Sequence, residues 1–178
     1  MIRRIIRTVA IVAILVFFAY SLVQPDGGPP VGQPAPAMSG PLLSGESFDL
    51  SEHEGRVIVV DFWAMWCGPC VRSLPALQML NERYAGDANV TILSVNLDDG
   101  PDTAERVTAF MAKRNYDFPV MIDAAKRVSG AYGVKTIPTM VFIDGAGQVH
   151  KVKVGLFAND PNRIVDHVVA SIDAAASY

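Results

Sequence analysis

Cys67 and Cys70 are the only two cysteines in a chain of 178 residues, and two residues separate them. Thiol–disulfide exchange needs one thiolate to attack and a second thiol close enough to release the mixed disulfide. A Cys-x-x-Cys pair at the start of a helix supplies both. Its first sulfur lies among free backbone N–H groups at the positive end of the helix dipole, which favours the thiolate. Cys67 is therefore the expected attacking sulfur and Cys70 the resolving one. Between them Gly68 and Pro69 fit a helix start, since a proline there gives up an N–H that has no partner to lose. A bond closing so short a loop adds little loop-closure stabilisation, so the pair reads as chemistry rather than scaffold. Two other uses of the sulfurs compete. A structural zinc site needs four ligands, and the chain adds only His53, His150 and His167, which read as solvated or packed residues. A soft copper site on the two sulfurs would make the protein a non-enzymatic metal chaperone, without a supporting His or Met pattern nearby.

The residues around the pair must form the elements that position it. Val57–Trp63 is a continuous apolar run, the pattern of a central strand buried on both faces. Asp61 is the anomaly within it. Burial raises a carboxyl pKa, so Asp61 could accept a proton near neutrality while Cys70 ionises; a hydrogen-bonded, inert acid is the competing reading. After the cysteines a helix is expected to about Tyr84, with Leu74, Leu77 and Leu80 on one face and Pro75 as a kink. Gly40–Leu50 reads as a hairpin turning at Ser44-Gly45-Glu46, and Ser51–Gly55 as a single turn. Downstream, Val90–Leu97 is a second buried strand and Thr103–Arg114 a helix, with Val107, Phe110 and Met111 on one face. Phe118–Ile122 is a short strand and Ala124–Tyr132 a short helix. Thr139–Ile143 and Gln148–Val154 pair through the turn Asp144-Gly145-Ala146-Gly147. Asp160 and Pro161 cap a last helix to about Ala176. Strands alternating with helices, then a hairpin and a helix, argue for an α/β sandwich.

The N-terminus reads as an address. Arg3, Arg4 and Arg7 precede the uncharged, apolar run Thr8–Val23. The favoured reading for residues 1–23 is an uncleaved membrane anchor, slightly short for a full span. A cleaved signal peptide is the alternative, with Ala19-Tyr20-Ser21 a mediocre cleavage site. The arginines predict a cytoplasmic N-terminus and an exported remainder. Residues 24–37, rich in Pro and Gly, read as a semi-rigid spacer, leaving 38–178 as the folded domain. With the three leading arginines set aside, 12 basic residues face 18 acidic ones, which argues against nucleic acid as a partner.

The run from Val57 through Trp66-Cys67-Gly68-Pro69-Cys70, with Thr136-Ile137-Pro138-Thr139 ahead of an apolar strand and a hairpin ending at Val154-Gly155, resembles the active-site segments of thioredoxins. With the N-terminal anchor and the helical stretch 101–118, it is similar to the membrane-tethered TlpA/ResA branch of thioredoxin-like oxidoreductases over roughly residues 33–176. The resemblance implies a thioredoxin fold: a central mixed β-sheet flanked by helices, with an N-terminal β-hairpin extension and a central helical insert. It implies that Pro138 is a cis-proline packed against the disulfide, with the backbone of Ile137 exposed to an extended substrate. Without it, a trans proline starting an edge strand would be the reading. Trp66, Gly68, Pro69, Thr136 and Ile137 would contact substrate. Asp61 would assist proton transfer at Cys70, without the neighbouring-strand lysine that accompanies it in thioredoxins, since Ser94 takes that position. No cofactor is implied beyond the Cys67–Cys70 disulfide, and no metal. The implied partners are a disulfide-containing protein, such as an apocytochrome c or an oxidase copper-site protein, and a membrane electron donor of the DsbD/CcdA kind. A peroxiredoxin would share the fold but not the Trp-Cys-Gly-Pro-Cys setting; a disulfide oxidase or isomerase would share both.

Overall fold

Five strands form one mixed sheet in the order β5-β4-β3-β6-β7, described here from a computed structural model that covers residues 28–177. The central strand β3 (Val57–Trp63) is buried along its whole length. It runs parallel to β4 (Val90–Asn96) and antiparallel to β6 (Thr139–Ile143). Outside these lie β5 (Val120–Ile122), parallel to β4, and β7 (Val149–Val154), antiparallel to β6. Parallel neighbours need crossovers, and two helices provide them: α1 (Gly68–Arg83) between β3 and β4, and α2 (Thr103–Ala112) between β4 and β5. The short α3 (Arg127–Ala131) leads to β6, and α4 (Pro161–Ala175) closes the chain and packs against α1. Alternate residues of β3 serve opposite faces. Trp63 meets Phe110 of α2 on one side, while Phe62 meets Tyr132, which follows α3, on the other.

Most expected elements are present, with shorter ends. The hairpin is β1 (Ser39–Pro41) with β2 (Ser47–Asp49), and a single 3-10 turn follows at Leu50–His53, capped by Asp49, whose carboxylate accepts from the Ser51 N–H at 2.9 Å. Helix α1 continues through Pro75. The Asp160 carboxylate accepts from the Arg163 N–H at 3.0 Å, with Pro161 in the first turn of α4.

The spacer expectation needs correction from residue 28 onward. Gly28 N–H donates to Gly133 O, Gly32 N–H to Val149 O, and Ala35 N–H to Gly147 O, while Val149 N–H donates back to Gln33 O. This stretch is bonded to the start of β7 and the turn before it, so it belongs to the domain instead of standing clear of it. An edge strand offers unpaired N–H and C=O groups, and a Pro/Gly-rich segment can satisfy some of them while remaining too irregular for a full strand. The buried Tyr132 pins the strap, its hydroxyl donating to Pro36 O at 2.9 Å. The expected anchor, residues 1–23, lies outside the described residues; no helix among those described is long and apolar enough to cross a membrane.

Tyr132→Phe removes this donor and keeps the ring. It should lower stability by about 1 kcal/mol, read as a shift of the urea midpoint with unchanged slope.

Candidate active site

The site begins where β3 runs out. Trp63 is the strand's last residue, and its indole N–H donates to Ser94 Oγ at 3.2 Å inside the core. Two bonds from the end of β4 hold the next residues. Leu97 N–H donates to Trp63 O at 2.8 Å, and Met65 N–H donates to Asp98 Oδ2 at 2.8 Å. The same carboxylate oxygen accepts from the Asn96 side-chain amide at 2.8 Å, with Asn96 and Asp98 both buried. Two residues beyond Met65, Cys67 becomes the N-cap of α1 in extended backbone conformation.

Cys67 and Cys70 form a disulfide, and the Cys70 N–H donates to Cys67 Sγ at 3.2 Å. That N–H is one of the free groups of the helix start, so the geometry that now touches a disulfide sulfur would stabilise a thiolate there. The two sulfurs are not equivalent. Cys67 retains 5% exposure and Cys70 none. Around Cys67, Gly68 and Pro69 are exposed, and Trp66 is 71% exposed.

The segment before β6 completes the mouth of the site. The Ile137–Pro138 bond is cis, and Cys67 Sγ lies 3.7 Å from the Ile137 carbonyl oxygen. Thr136 is exposed, and its carbonyl accepts from Thr139 Oγ1 at 2.7 Å, a bond internal to the loop.

Asp61 sits deeper. It is 1% exposed, and neither carboxylate oxygen has a hydrogen-bond partner among the described residues. Ser94 stands opposite it on β4 and Met140 opposite it on β6, so neither flanking strand supplies a cation at that level. Burial pushes the Asp61 carboxyl up to about 7. Beside it is a cavity of about 10 Å³ lined by Asp61, Ser73, Pro138, Met140, Gly155, Leu156, Phe157 and Ile164. Neither cysteine lines it, but two of its lining residues adjoin the two halves of the site. Pro138 follows the residue whose carbonyl touches Cys67, and Ser73, one turn along α1, donates its hydroxyl to Cys70 O at 2.8 Å.

Cys67, Cys70, Gly68, Pro69, Trp66, Ile137 and Pro138 thus surround one short stretch of surface, with Asp61 beneath it; Thr136 stands at its rim. Sequence reasoning missed Asp98, Ser73 and Phe157. For Asp98 a signal existed: the polar residues Asn96 and Asp98 flank Leu97 where a mostly apolar strand meets the loops. Ser73 and Phe157 carry no such mark. Among the described residues no three His, Cys, Asp or Glu side chains gather to hold a metal ion.

A mixed sheet with a Cys-x-x-Cys pair capping the helix after its central strand, facing a cis-proline loop, defines the thioredoxin-like class. The chain belongs to the Redoxin family, whose profile matches residues 30–168. It is 33% identical over 124 residues to the thioredoxin-like protein YneN of Bacillus subtilis, covering 70% of this chain and 71% of that one. It is 30% identical over 162 residues to the thiol-disulfide oxidoreductase ResA of Geobacillus thermodenitrificans, covering 89% of this chain and 91% of that one. Among solved structures, a thioredoxin-family thiol:disulfide interchange protein from Chlorobium tepidum superposes with a TM-score of 0.63 at 27% identity, over 76% of this chain and 94% of that one. The protein is a thioredoxin-like thiol–disulfide oxidoreductase of the TlpA/ResA type.

The Asp61 carboxyl makes stability depend on pH. The folded state keeps its proton to about pH 7, whereas the unfolded chain loses it near pH 4. Between these values the unfolded state binds fewer protons, so stability falls as pH rises, by about 1.4 kcal/mol per unit. Asp61→Asn should abolish this component, and urea unfolding of the oxidised protein at pH 5 and pH 7 checks it: parallel pH dependence of variant and wild type would contradict the raised pKa.

Proposed function

We propose that this oxidoreductase reduces disulfides in proteins outside the cytoplasm. The observation that carries its mechanism is the unequal burial of the two cysteines: Cys67 retains a little surface and Cys70 none, beside an exposed Trp66. In the reduced enzyme the Cys67 thiolate attacks one sulfur of a substrate disulfide. The substrate S–S bond breaks, a mixed disulfide forms, and one substrate thiolate leaves. Cys70 then loses its proton to Asp61 and attacks Cys67 Sγ. The mixed disulfide breaks, the second substrate thiolate leaves, and two electrons have passed from the dithiol to the substrate. A carboxyl with a pKa of about 7 suits this exchange at neutral pH. Trp66, Gly68, Pro69 and the Thr136–Ile137 backbone provide the surface on which an extended substrate rests.

The direction follows from the residues between the cysteines. Gly68-Pro69 is the dipeptide of thioredoxin, which sits at about −270 mV, against about −120 mV for a strong periplasmic oxidant. The anchor reading of residues 1–23 places the domain on the far side of the membrane, where a reductant needs electrons delivered through the bilayer by a carrier of the DsbD/CcdA kind. The cysteines of an apocytochrome c haem site, or of an oxidase copper site, are the substrates this reading favours.

Equilibration of the full chain in graded thiol/disulfide buffers, read by alkylation, should give a potential at or below about −250 mV. A value near −120 mV would turn the protein into a disulfide donor. In the same preparation Cys70→Ser should accumulate a mixed disulfide with a disulfide-bonded peptide, and Cys67→Ser should form none.

A further inference from the structure

Asp61 exchanges its proton in a void with barely room for one water, about 10 Å³. Of the eight side chains and backbones that line it, Asp61, Ser73, Pro138, Met140 and Ile164 are buried, and only Gly155, Leu156 and Phe157 are partly exposed. The solvent side of the cavity is therefore the connection between β7 and α4. That connection is fixed at one end. Gly155 N–H donates to Pro138 O at 2.8 Å, with Gly155 at φ +76°, a conformation that side-chain-bearing residues rarely adopt.

Phe157 is held from several sides. Its ring stacks on His167 of α4 at 5.6 Å and 14°, and meets Phe142 edge-on at 6.3 Å. The Lys151 and Lys153 ammonium groups of β7 lie 5.4 and 5.6 Å from its centroid. The sheet register aligns these groups with the acid: Asp61 pairs with Met140, and Met140 with Lys153, so all three side chains share one face. Lys153 Nζ donates to Val154 O and Lys151 Nζ to Ser171 Oγ, and neither cation lines the Asp61 cavity. The remaining residues that face Asp61 are Ser73 of α1, Ser94 of β4, Met140 of β6 and Ile164 of α4, none of them charged.

We infer that Phe157 is a positioning residue for the acid–base chemistry: its ring forms the solvent-side wall of the Asp61 cavity, and holds water and the Lys151 and Lys153 charges away from the carboxyl. The inference rests on Asp61 as the proton acceptor for Cys70, and it adds the group that sets how firmly the acid keeps its proton. Removing the ring admits water and takes away what separates the carboxyl from two lysine ammonium groups. Both effects favour the carboxylate, so they act in the same direction.

The test is a pH titration of the full chain labelled with ¹³C at the aspartate carboxyls, the Asp61 signal being assigned by its loss in Asp61→Asn. In the wild type its midpoint lies near 7. In Phe157→Ala it should fall by a pH unit or more, a tenfold or greater change in the acid constant. Phe157→Leu, which keeps an apolar cover, should stay within half that shift. Phe157→Val is measured alongside, so that a fall relative to the leucine variant decides the matter if the alanine variant does not fold. An unchanged midpoint in every folded variant would overturn the proposal. A midpoint that moves while the pH profile of mixed-disulfide release stays put would support the role of Phe157 and remove Asp61 from the reaction.

Discussion

The grip of β4 on the loop Ala64–Cys67 is the constraint on which the site depends. A thiolate gains from a helix N-terminus only if it is held at the cap, and here the chain passes from strand to cap within four residues. Three contacts fix that passage: Leu97 N–H to Trp63 O, Met65 N–H to Asp98, and the Trp63 indole to Ser94. All involve β4, which pairs with β3 in parallel register, or the two residues that follow it. The stiffness of the loop is thus borrowed from the sheet. A carboxylate accepting from a backbone N–H and a buried amide is among the stronger neutral-donor arrangements available, and Asp98 spends its charge on holding backbone rather than on chemistry.

A continuous apolar strand that carries an acid contains a conflict. Burying an ionised carboxyl without a partner is costly, so the group keeps its proton instead. No neighbour donates to Asp61: neither of its oxygens has a partner among the described residues. Ser73 gives its hydroxyl proton to Cys70 O, Met140 has no donor, and Ser94 Oγ accepts from the Trp63 indole. The sheet tolerates Asp61 because it is neutral through most of the acidic range, and the proposed mechanism draws on the same group because neutrality ends near pH 7.

The legible parts of this structure were those with local causes. Val57–Trp63 and Thr139–Ile143 match their apolar runs residue for residue, because strands buried on both faces show no alternation to misread. Asp160-Pro161 announced the last helix through its cap. Short elements with partial burial lost residues at their ends: the expected Phe118–Ile122 and Ala124–Tyr132 become Val120–Ile122 and Arg127–Ala131. The edge strap at 28–37 was illegible, since proline and glycine mark an irregular segment in the same way whether it is free or docked. The cis bond before Pro138 was readable only through resemblance. Phe157 is the clearest case of what sequence hides: its position beside Asp61 follows from the meeting of β6, β7 and α4, three elements whose register no local pattern encodes.

The N-terminal part of the chain meets both edges of the sheet. The strap pairs with Val149 at the start of β7 and with the turn before it, and at β5 the hairpin takes the outer side, with Leu43 N–H donating to Val120 O and Leu42 bridging Met121. A covered edge resists pairing with other chains, which matters for an enzyme whose proposed substrates are extended segments of protein. At the mouth of the site the Ile137 carbonyl oxygen lies 3.7 Å from Cys67 Sγ, just ahead of β6 rather than along its paired length. Under the proposed mechanism an extended substrate would rest on main chain there, beside the exposed Trp66, and not on the hairpin-covered edge at β5.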